Sequence, residues 1–592
     1  MIEDEGYELA KALLMTQLRL YAPVWWDHPP VHPGILHTGA ALFGNTLQSF
    51  RLIAGLLCAA SLWALAACAS PGRWRGFAPK TPLTPSLSSP RRRGEGARRA
   101  GEGCGPVGFL APLVAVLLCV SSVGFLAYGL SVTIMLPALG FALWAVWLWQ
   151  RFGLSGNRWV LFGSGIVFGL GFQTKFTVLL FLPALAVEFL RQAWVASRRR
   201  GDESLTNAEA GQRLLTSSPT GAVGVRQKVS RALGFLGQWS GIWLAGFVYG
   251  VAFVWAFFPE EDLVWLLKYH FRPEVTAAFE AQAGWSPMLH KLGMDWPIAS
   301  FAVVGLFLGL VQRRWAVVFP TLFFATSFLA HAWHRPWWDY YYLHLSIPMA
   351  WLGALGVQWT WDTLTRPAAV GSAPAPGAVA RALAGNPTAD ANEAADQGAE
   401  ATAGGRGRPP EHPGRMRSPE SASLRRRLWE FWPGWKPAGL IAAFSFCLAG
   451  FLVELPERYE RETACLRVKA SPTEEKILAQ LKERRADTHW LYTDRPIWCA
   501  HANILIPPEL AVLSLKRIAS GDITHAEFLR LLQHYRPEQI VLQRRHFEDE
   551  KFHEFLRAFY DVLIEEGNLK YLVRRDWEAA RKARLVPNPK VG

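Results

Sequence analysis

Thr46–Ala69, TLQSFRLIAGLLCAASLWALAACA, is the stretch on which the fold turns. It carries one charged residue, Arg51, near its start and is otherwise apolar or small. A bilayer core is crossed by roughly 20 such residues in a helix, so this run reads as a spanning helix. Nine more runs of similar character follow, at Val107–Ala127, Thr133–Arg151, Arg158–Gln173, Phe176–Trp194, Phe235–Phe257, Pro297–Val311, Trp315–Ala330, Tyr341–Trp361 and Pro437–Leu455. The 592 residues are 51% hydrophobic and include 28 Trp and 35 Phe, many at run ends, where aromatic rings suit the lipid–water boundary. The expected class is therefore mainly α, a polytopic transmembrane helical bundle.

The formal charge of +14 raises the question of nucleic acid. The basic residues lie in loops between apolar runs, a topology signal rather than a phosphate-tracking groove, and no nucleic-acid partner is expected. One set of alternate loops holds Arg91-Arg92-Arg93, Arg198-Arg199-Arg200, Arg313-Arg314 and Arg425-Arg426-Arg427. The other holds little beyond Lys175, Lys268, Arg272, Lys291 and Arg335. The first set is expected in the cytoplasm. The N-terminus, the Arg335 loop and the C-terminal part then lie outside the plasma (inner) membrane.

This gives an expected domain plan. Residues 1–45 form an outer loop with interfacial helices, 46–366 a transmembrane bundle, 437–455 the last spanning helix and 456–592 a small extracytoplasmic α/β domain. Insertions near 79–105 and 201–227 and the linker 367–436 are rich in Gly, Pro, Ala and charge, and are expected to be disordered in the cytoplasm. In the C-terminal part, Ser471-Pro472-Thr473-Glu474 reads as a capping box opening a helix over Lys476–Arg484. A second box, Thr524 to Glu527, precedes a helix over Phe528–Tyr535, and a further helix is expected over Glu550–Leu563. Thr488–Thr493, Gln539–Gln543 and Leu569–Arg574 read as strands. The seven cysteines show no zinc spacing; an extracytoplasmic Cys465–Cys499 disulfide is one open reading.

The chemistry is expected ahead of the first span. From Gly6 to Leu20 an amphipathic pattern, with Leu9, Leu13, Thr16 and Leu20 on one face, suits a helix lying at the membrane surface. It would hold Asp4 and Glu5 there, although carboxylates also suit a helix start through its dipole alone. Asp27-His28-Pro29-Pro30 is stiffened by its prolines, and a second interfacial stretch, Gly34–Phe43, leads into the first span.

The series DEGYELAKALL (Asp4–Leu14), WWDHPPVHPGILHTGAALFG (Trp25–Gly44) and SFRLIAGLL (Ser49–Leu57) resembles the first extracytoplasmic loop of glycosyltransferase family 39. That family includes protein O-mannosyltransferases and the transferases that add aminoarabinose to lipid A. Gln173-Thr174-Lys175 resembles its Thr-Lys element, Trp337–Tyr342 before Pro348 its aromatic loop, and Pro507–Thr524 the tail of its bacterial members. The resemblance implies a GT-C-like membrane glycosyltransferase. A sugar would pass from a polyprenyl-phosphate donor to an extracytoplasmic lipid, glycan or protein acceptor, with inversion. It assigns the general base to Asp4, with Glu5 beside it, and substrate contacts to Asp27, His28, Lys175, Arg335 and Tyr341, with Arg51 a further cation. Each has a plainer reading, as interfacial anchor, headgroup contact or aromatic belt. His331 and His334 read as a metal pair or as polar anchors; no cofactor is assigned, and a divalent metal stays open.

Two departures stand out. The family has a spanning helix before its Asp-Glu loop, so Met1 is expected to be a misplaced start or to follow a lost helix. Its later acid, in patterns like SEMPAL, is missing from Ser131–Leu139. A degenerate transferase, or a non-catalytic lipid-carrier flippase, are the competing expectations.

Overall fold

The computed structural model describes residues 3–15, 18–20, 23–24, 28–70, 110–211, 221–259, 285–335, 337–365, 436–467, 470–543 and 549–585, with isolated positions between 262 and 279. The chain divides into two units, Met1–Val357 with Cys447–Gly592, and Gln358–Phe446. In the second, the described residues are the helical stretches 358–365 and 436–446.

The chain is mainly α. Its helices begin with α1 (Glu3–Leu14), α2 (Val31–Phe43), α3 (Leu47–Ala69), α4 (Leu110–Val120), α5 (Phe125–Leu130), α6 (Met135–Ser155), α7 (Arg158–Phe172), α8 (Leu182–Gly211) and α9 (Gly221–Phe257). They continue with α10 (Trp285–Met294), α11 (Trp296–Val311), α12 (Val318–Trp333), α13 (Leu343–Thr365) and α14 (Lys436–Arg467). The described residues of the ten apolar runs fall mostly on these helices. Among the described residues, four stretches are long and apolar enough to cross a bilayer: Leu47–Ala69, Phe176–Ser197, Lys228–Phe257 and Trp315–Trp333. Joining α10 and α11, which meet at 85°, gives a fifth. It is a multi-pass membrane protein.

Within the bundle, close approach is made by glycine. Gly165 and Gly169 of α7 face Gly246 and Gly250 of α9 so closely that a Cβ on Gly246 would lie 2.1 Å from the Phe162 carbonyl oxygen. Small residues at such spacing let two backbones touch where lipid gives no hydrophobic drive.

Three expectations are corrected. The run Val107–Ala127 is broken: helix stops at Val120, and Gly124, at φ 78°, turns the chain into α5. Ser122 and the Val123 amide there are tied to Asp295 (2.6 and 3.1 Å), so a distant carboxylate replaces the helical hydrogen bonds. Of the insertion 201–227, residues 201–211 continue α8 and 221–227 begin α9, while 212–220, like 79–105 and most of 367–436, lie outside the described residues. And α1 does not lie on a lipid surface. Glu5 through Leu14 are all buried, in one core with Leu36 and Ala40 of α2, Phe50 and Ile53 of α3, and Ile497, Trp498 and Tyr571 of the C-terminal part. Buried leucines such as Leu9, Leu13 and Leu14 contribute about 1.5–3 kcal/mol each.

The C-terminal part is α/β, with a four-stranded sheet ordered β1 (Leu491–Thr493), β2 (Gln539–Leu542), β4 (Leu569–Arg574), β3 (Tyr560–Glu566). β1 and β2 are parallel and the other pairs antiparallel. The Ser471–Glu474 capping box forms and opens the helix Pro472–Glu483. Thr524 caps the helix His525–Tyr535. The helix expected over Glu550–Leu563 ends at Phe559, and Tyr560–Glu566 is a strand instead. Val562 and Ile564 suit a strand, and Gly567, at φ 58°, closes a two-residue hairpin with Glu566 opposite Leu569. Cys499 is a free buried thiol, so no Cys465–Cys499 bridge forms; the Cys465 side chain lies outside the described residues.

Candidate functional site

The N-terminal helices meet the bundle through charge. Glu5 is buried, and its two oxygens take the Nε and a terminal nitrogen of Arg51, both at 2.9 Å. Oε1 also accepts from the Val132 amide at 3.4 Å, in the loop where the family's second acid would stand. One turn on, Glu8 receives Lys11 at 3.0 Å and the His32 Nδ1 of α2 at 2.9 Å. All three side chains are at most 3% exposed. Burial raises the Glu8 carboxyl, but Lys11 and His32 more than offset it and hold it below the ordinary value of 4.5. A polar helix face is thus buried without an unmatched carboxylate.

α2 in turn docks on the end of α7. The Val31 amide donates to the Gln173 carbonyl at 3.1 Å. This sets His28-Pro29-Pro30 beside the Gln173–Lys175 turn, and His28 is buried there. Lys175 opens a short 3-10 helix, Phe176–Phe181, in extended backbone. Its side chain is buried, and its ammonium sits 4.3 Å over the Tyr340 ring and 5.6 Å over that of Tyr341. Such contacts stabilise a cation by about 0.5–2 kcal/mol.

Tyr341 belongs to the turn Asp339–Tyr342 between α12 and α13. Its ring lies parallel to His331, centroids 4.5 Å apart, and its hydroxyl is 3.4 Å from His334. His331 pairs with His344, Nε2 to Nδ1 at 3.2 Å, and not with His334. Among the described residues no group of three His, Cys, Asp or Glu is arranged to hold a metal ion.

The structure therefore brings Lys175 and Tyr341 together, and places His28 on the adjoining segment. Arg335 is half-buried beside His334. Glu5 is in a separate clamp with Arg51. Asp27 lies outside the described residues, as does the side chain of Asp4, whose backbone is in the first turn of α1.

Two clusters escaped sequence reading. One is the His331–His344 pair. The other joins Asp295, at the α10–α11 bend, to Arg458 of α14, with Glu454 on the same guanidinium and Glu462 accepting from the Gly124 amide at 2.8 Å. Asp295 and Arg458 are 163 residues apart, a separation no local pattern spans.

This geometry can be set beside known proteins. Residues 109–202 match the family described as dolichyl-phosphate-mannose-protein mannosyltransferase. The matched stretch runs from α4 into α8 and contains Lys175. It meets the membrane-glycosyltransferase resemblance with a comparison independent of the N-terminal motifs. No curated protein matches the chain at a significant level. Among solved structures, the chain is similar to ArnT from Cupriavidus metallidurans in the apo state, at 13% identity and TM-score 0.48. It is also similar to the same protein bound to undecaprenyl phosphate, at 13% identity and TM-score 0.46. In both, 96% of this chain and 93% of the other are covered.

Proposed function

We propose that the chain is an integral-membrane glycosyltransferase that moves a sugar from a polyprenyl-phosphate donor to an acceptor outside the cytoplasm. The observation that carries this reading is Lys175: a buried ammonium in the family-matched stretch, seated over the rings of Tyr340 and Tyr341. A cation so placed suits a phosphate that gains charge as it leaves. In the step proposed, the acceptor oxygen bonds to the anomeric carbon as the bond from that carbon to the phosphate oxygen breaks. The electron pair goes to the phosphate and the acceptor proton to a carboxylate, for which Asp4 is the proposed base. Glu5, engaged by Arg51, anchors the first turn of α1, which contains Asp4. His28, Arg335, Asp27 and Tyr341 remain proposed substrate contacts, and no step runs through a metal.

The broken helix at Asp295 is the one feature shared with lipid-carrier transporters, which place ionisable groups at helix breaks. That carboxylate is already held by Arg458, Ser122 and the Val123 amide, which favours a structural joint.

The test uses proteoliposomes with labelled polyprenyl-phosphate sugars. Wild type is expected to transfer label, and Lys175→Met and Asp4→Asn to lose about 10²-fold or more. A wild-type protein without transfer refutes the reading, and equal transfer by Asp4→Asn refutes the base assignment.

A further inference from the structure

The turn between α12 and α13 holds several buried polar atoms that the proposed reaction has not used. His344 Nδ1 faces two atoms, His331 Nε2 at 3.2 Å and the Tyr341 carbonyl oxygen at 3.3 Å. A carbonyl can only accept, so His344 Nδ1 carries the proton and shares it between the two. His331 Nε2 is then an acceptor, its ring is neutral, and its remaining proton sits on Nδ1. Among the described residues that Nδ1–H has no hydrogen-bond partner, though His331 is only 3% exposed.

A second orphan lies next to it. Trp337 packs edge-on against the His331 ring, at 87° and 5.9 Å between centroids, and against Tyr341. Its indole nitrogen, which can only donate, is also buried and without a partner. Burying such a donor unmatched is costly, and folded proteins retain few of them. Both rings touch Tyr341, the same ring over which the Lys175 ammonium sits. Two donors without acceptors beside a buried cation are the chemistry of an oxyanion site.

We infer that His331, through Nδ1–H, and Trp337, through its indole N–H, donate hydrogen bonds to phosphate oxygens of a ligand held by Lys175. The inference rests on the transferase reading for the identity of that ligand, the phosphate of a polyprenyl-phosphate donor, but the donor set itself recognises any phosphate oxyanion. His344 acts one step back. By donating to His331 it fixes the tautomer that leaves Nδ1 protonated, and is a positioning residue.

The experiment measures binding of polyprenyl phosphate, polyprenol and inorganic phosphate to the purified full-length protein in detergent. The variants are His331→Phe and Trp337→Phe, which keep an aromatic ring against Tyr341 and remove one donor each; size-exclusion profiles confirm folding. Each is expected to weaken polyprenyl phosphate about tenfold or more, the loss of one hydrogen bond to a charged group, and to leave polyprenol unchanged. Undiminished polyprenyl-phosphate binding by both variants overturns the inference and leaves the transferase reading standing. Equal losses for polyprenol and polyprenyl phosphate also overturn it, since the rings would then serve only as packing. Phosphate binding that depends on His331 and Trp337, in a protein that ignores the lipid, supports the site and sinks the transferase reading. Wild type that binds neither phosphate ligand sinks both.

Discussion

Replacing Glu8 by Gln tests whether α1 is held by charge. The substitution keeps the shape of the side chain but removes the carboxylate charge paired with Lys11, which is fully buried with its ammonium 3.0 Å away. Breaking a buried ion pair by removing one partner costs about 3–5 kcal/mol. Lys11→Met is milder, because Glu8 keeps its hydrogen bond with His32 at 2.9 Å; about 1–3 kcal/mol is expected. The double variant Glu8→Leu with Lys11→Met removes both charges and leaves one imidazole short of a partner, again about 1–3 kcal/mol. The double variant should therefore be more stable than Glu8→Gln alone, the non-additivity that marks coupled neighbours.

The assay is thermal unfolding in detergent, read as a ranking because membrane proteins of this size often unfold irreversibly. It should be run across pH. The folded-state pKa of Glu8 is depressed below 4.5, so its contribution is complete above that value and is lost as pH falls through the folded pKa. Wild type should lose melting temperature below about pH 5 more steeply than Glu8→Gln does. A double variant less stable than Glu8→Gln, or identical acid slopes, would refute the reasoning.

Three further outcomes follow from single contacts. Burial pushes the Cys499 thiol well above its ordinary range, so native protein should resist maleimide at that site, and non-reduced intact mass should show no loss of two hydrogens from a bridge to Cys465. Gly246→Ala would drive a Cβ into the Phe162 carbonyl at 2.1 Å and should sharply reduce folded protein in detergent, whereas Gly237→Ala, with open space around it, should not. Arg458→Met leaves the buried Asp295 carboxylate without its cation and should cost about 3–5 kcal/mol; adding Asp295→Asn should recover part of that melting temperature.

The bundle was legible because its signal is local. An apolar run of spanning length reports its own burial, and nine of the ten runs are helical over most of their length, Val107–Ala127 being the broken one. What sequence missed was decided by partners far away. Ser121–Gly124 breaks a run because Asp295, some 170 residues on, takes the hydrogen-bonding groups there. The polar residues of α1 read as a solvent face because a window of sequence cannot see Arg51 and His32 arriving to neutralise them. Tyr560–Leu563 reads as a continuing helix until the hairpin partner of the strand Tyr560–Glu566 is counted. For the site, Lys175 and Tyr341 were legible as residue types at run ends, and the family match includes the first. The His331–His344 pair was not, because its partner lies across a turn and its meaning depends on which nitrogen holds the proton.

The burial of α1 alters how the N-terminal acids should be understood. A helix resting on lipid would leave Asp4 mobile with the membrane surface. Here Gly6 packs so tightly on the C-terminal helix Ile497–Ala502 that a Cβ would lie 2.7 Å from the Ile497 amide nitrogen. The Tyr7 hydroxyl reaches the Leu513 carbonyl, Glu5 is clamped by Arg51, and Glu8 is joined to α2. Three separate parts of the chain thus fix one helical turn. From that turn a continuous set of contacts runs through His32 and Val31 to the Gln173 carbonyl, two residues from Lys175. A base on the first turn of α1 and a cation at the end of α7 would then be held in register by rigid elements, the condition under which positioning contributes most to rate. The C-terminal α/β part takes its place in this account as a support for that register, since without its packing on Gly6 and Tyr7 one side of α1 would be bare.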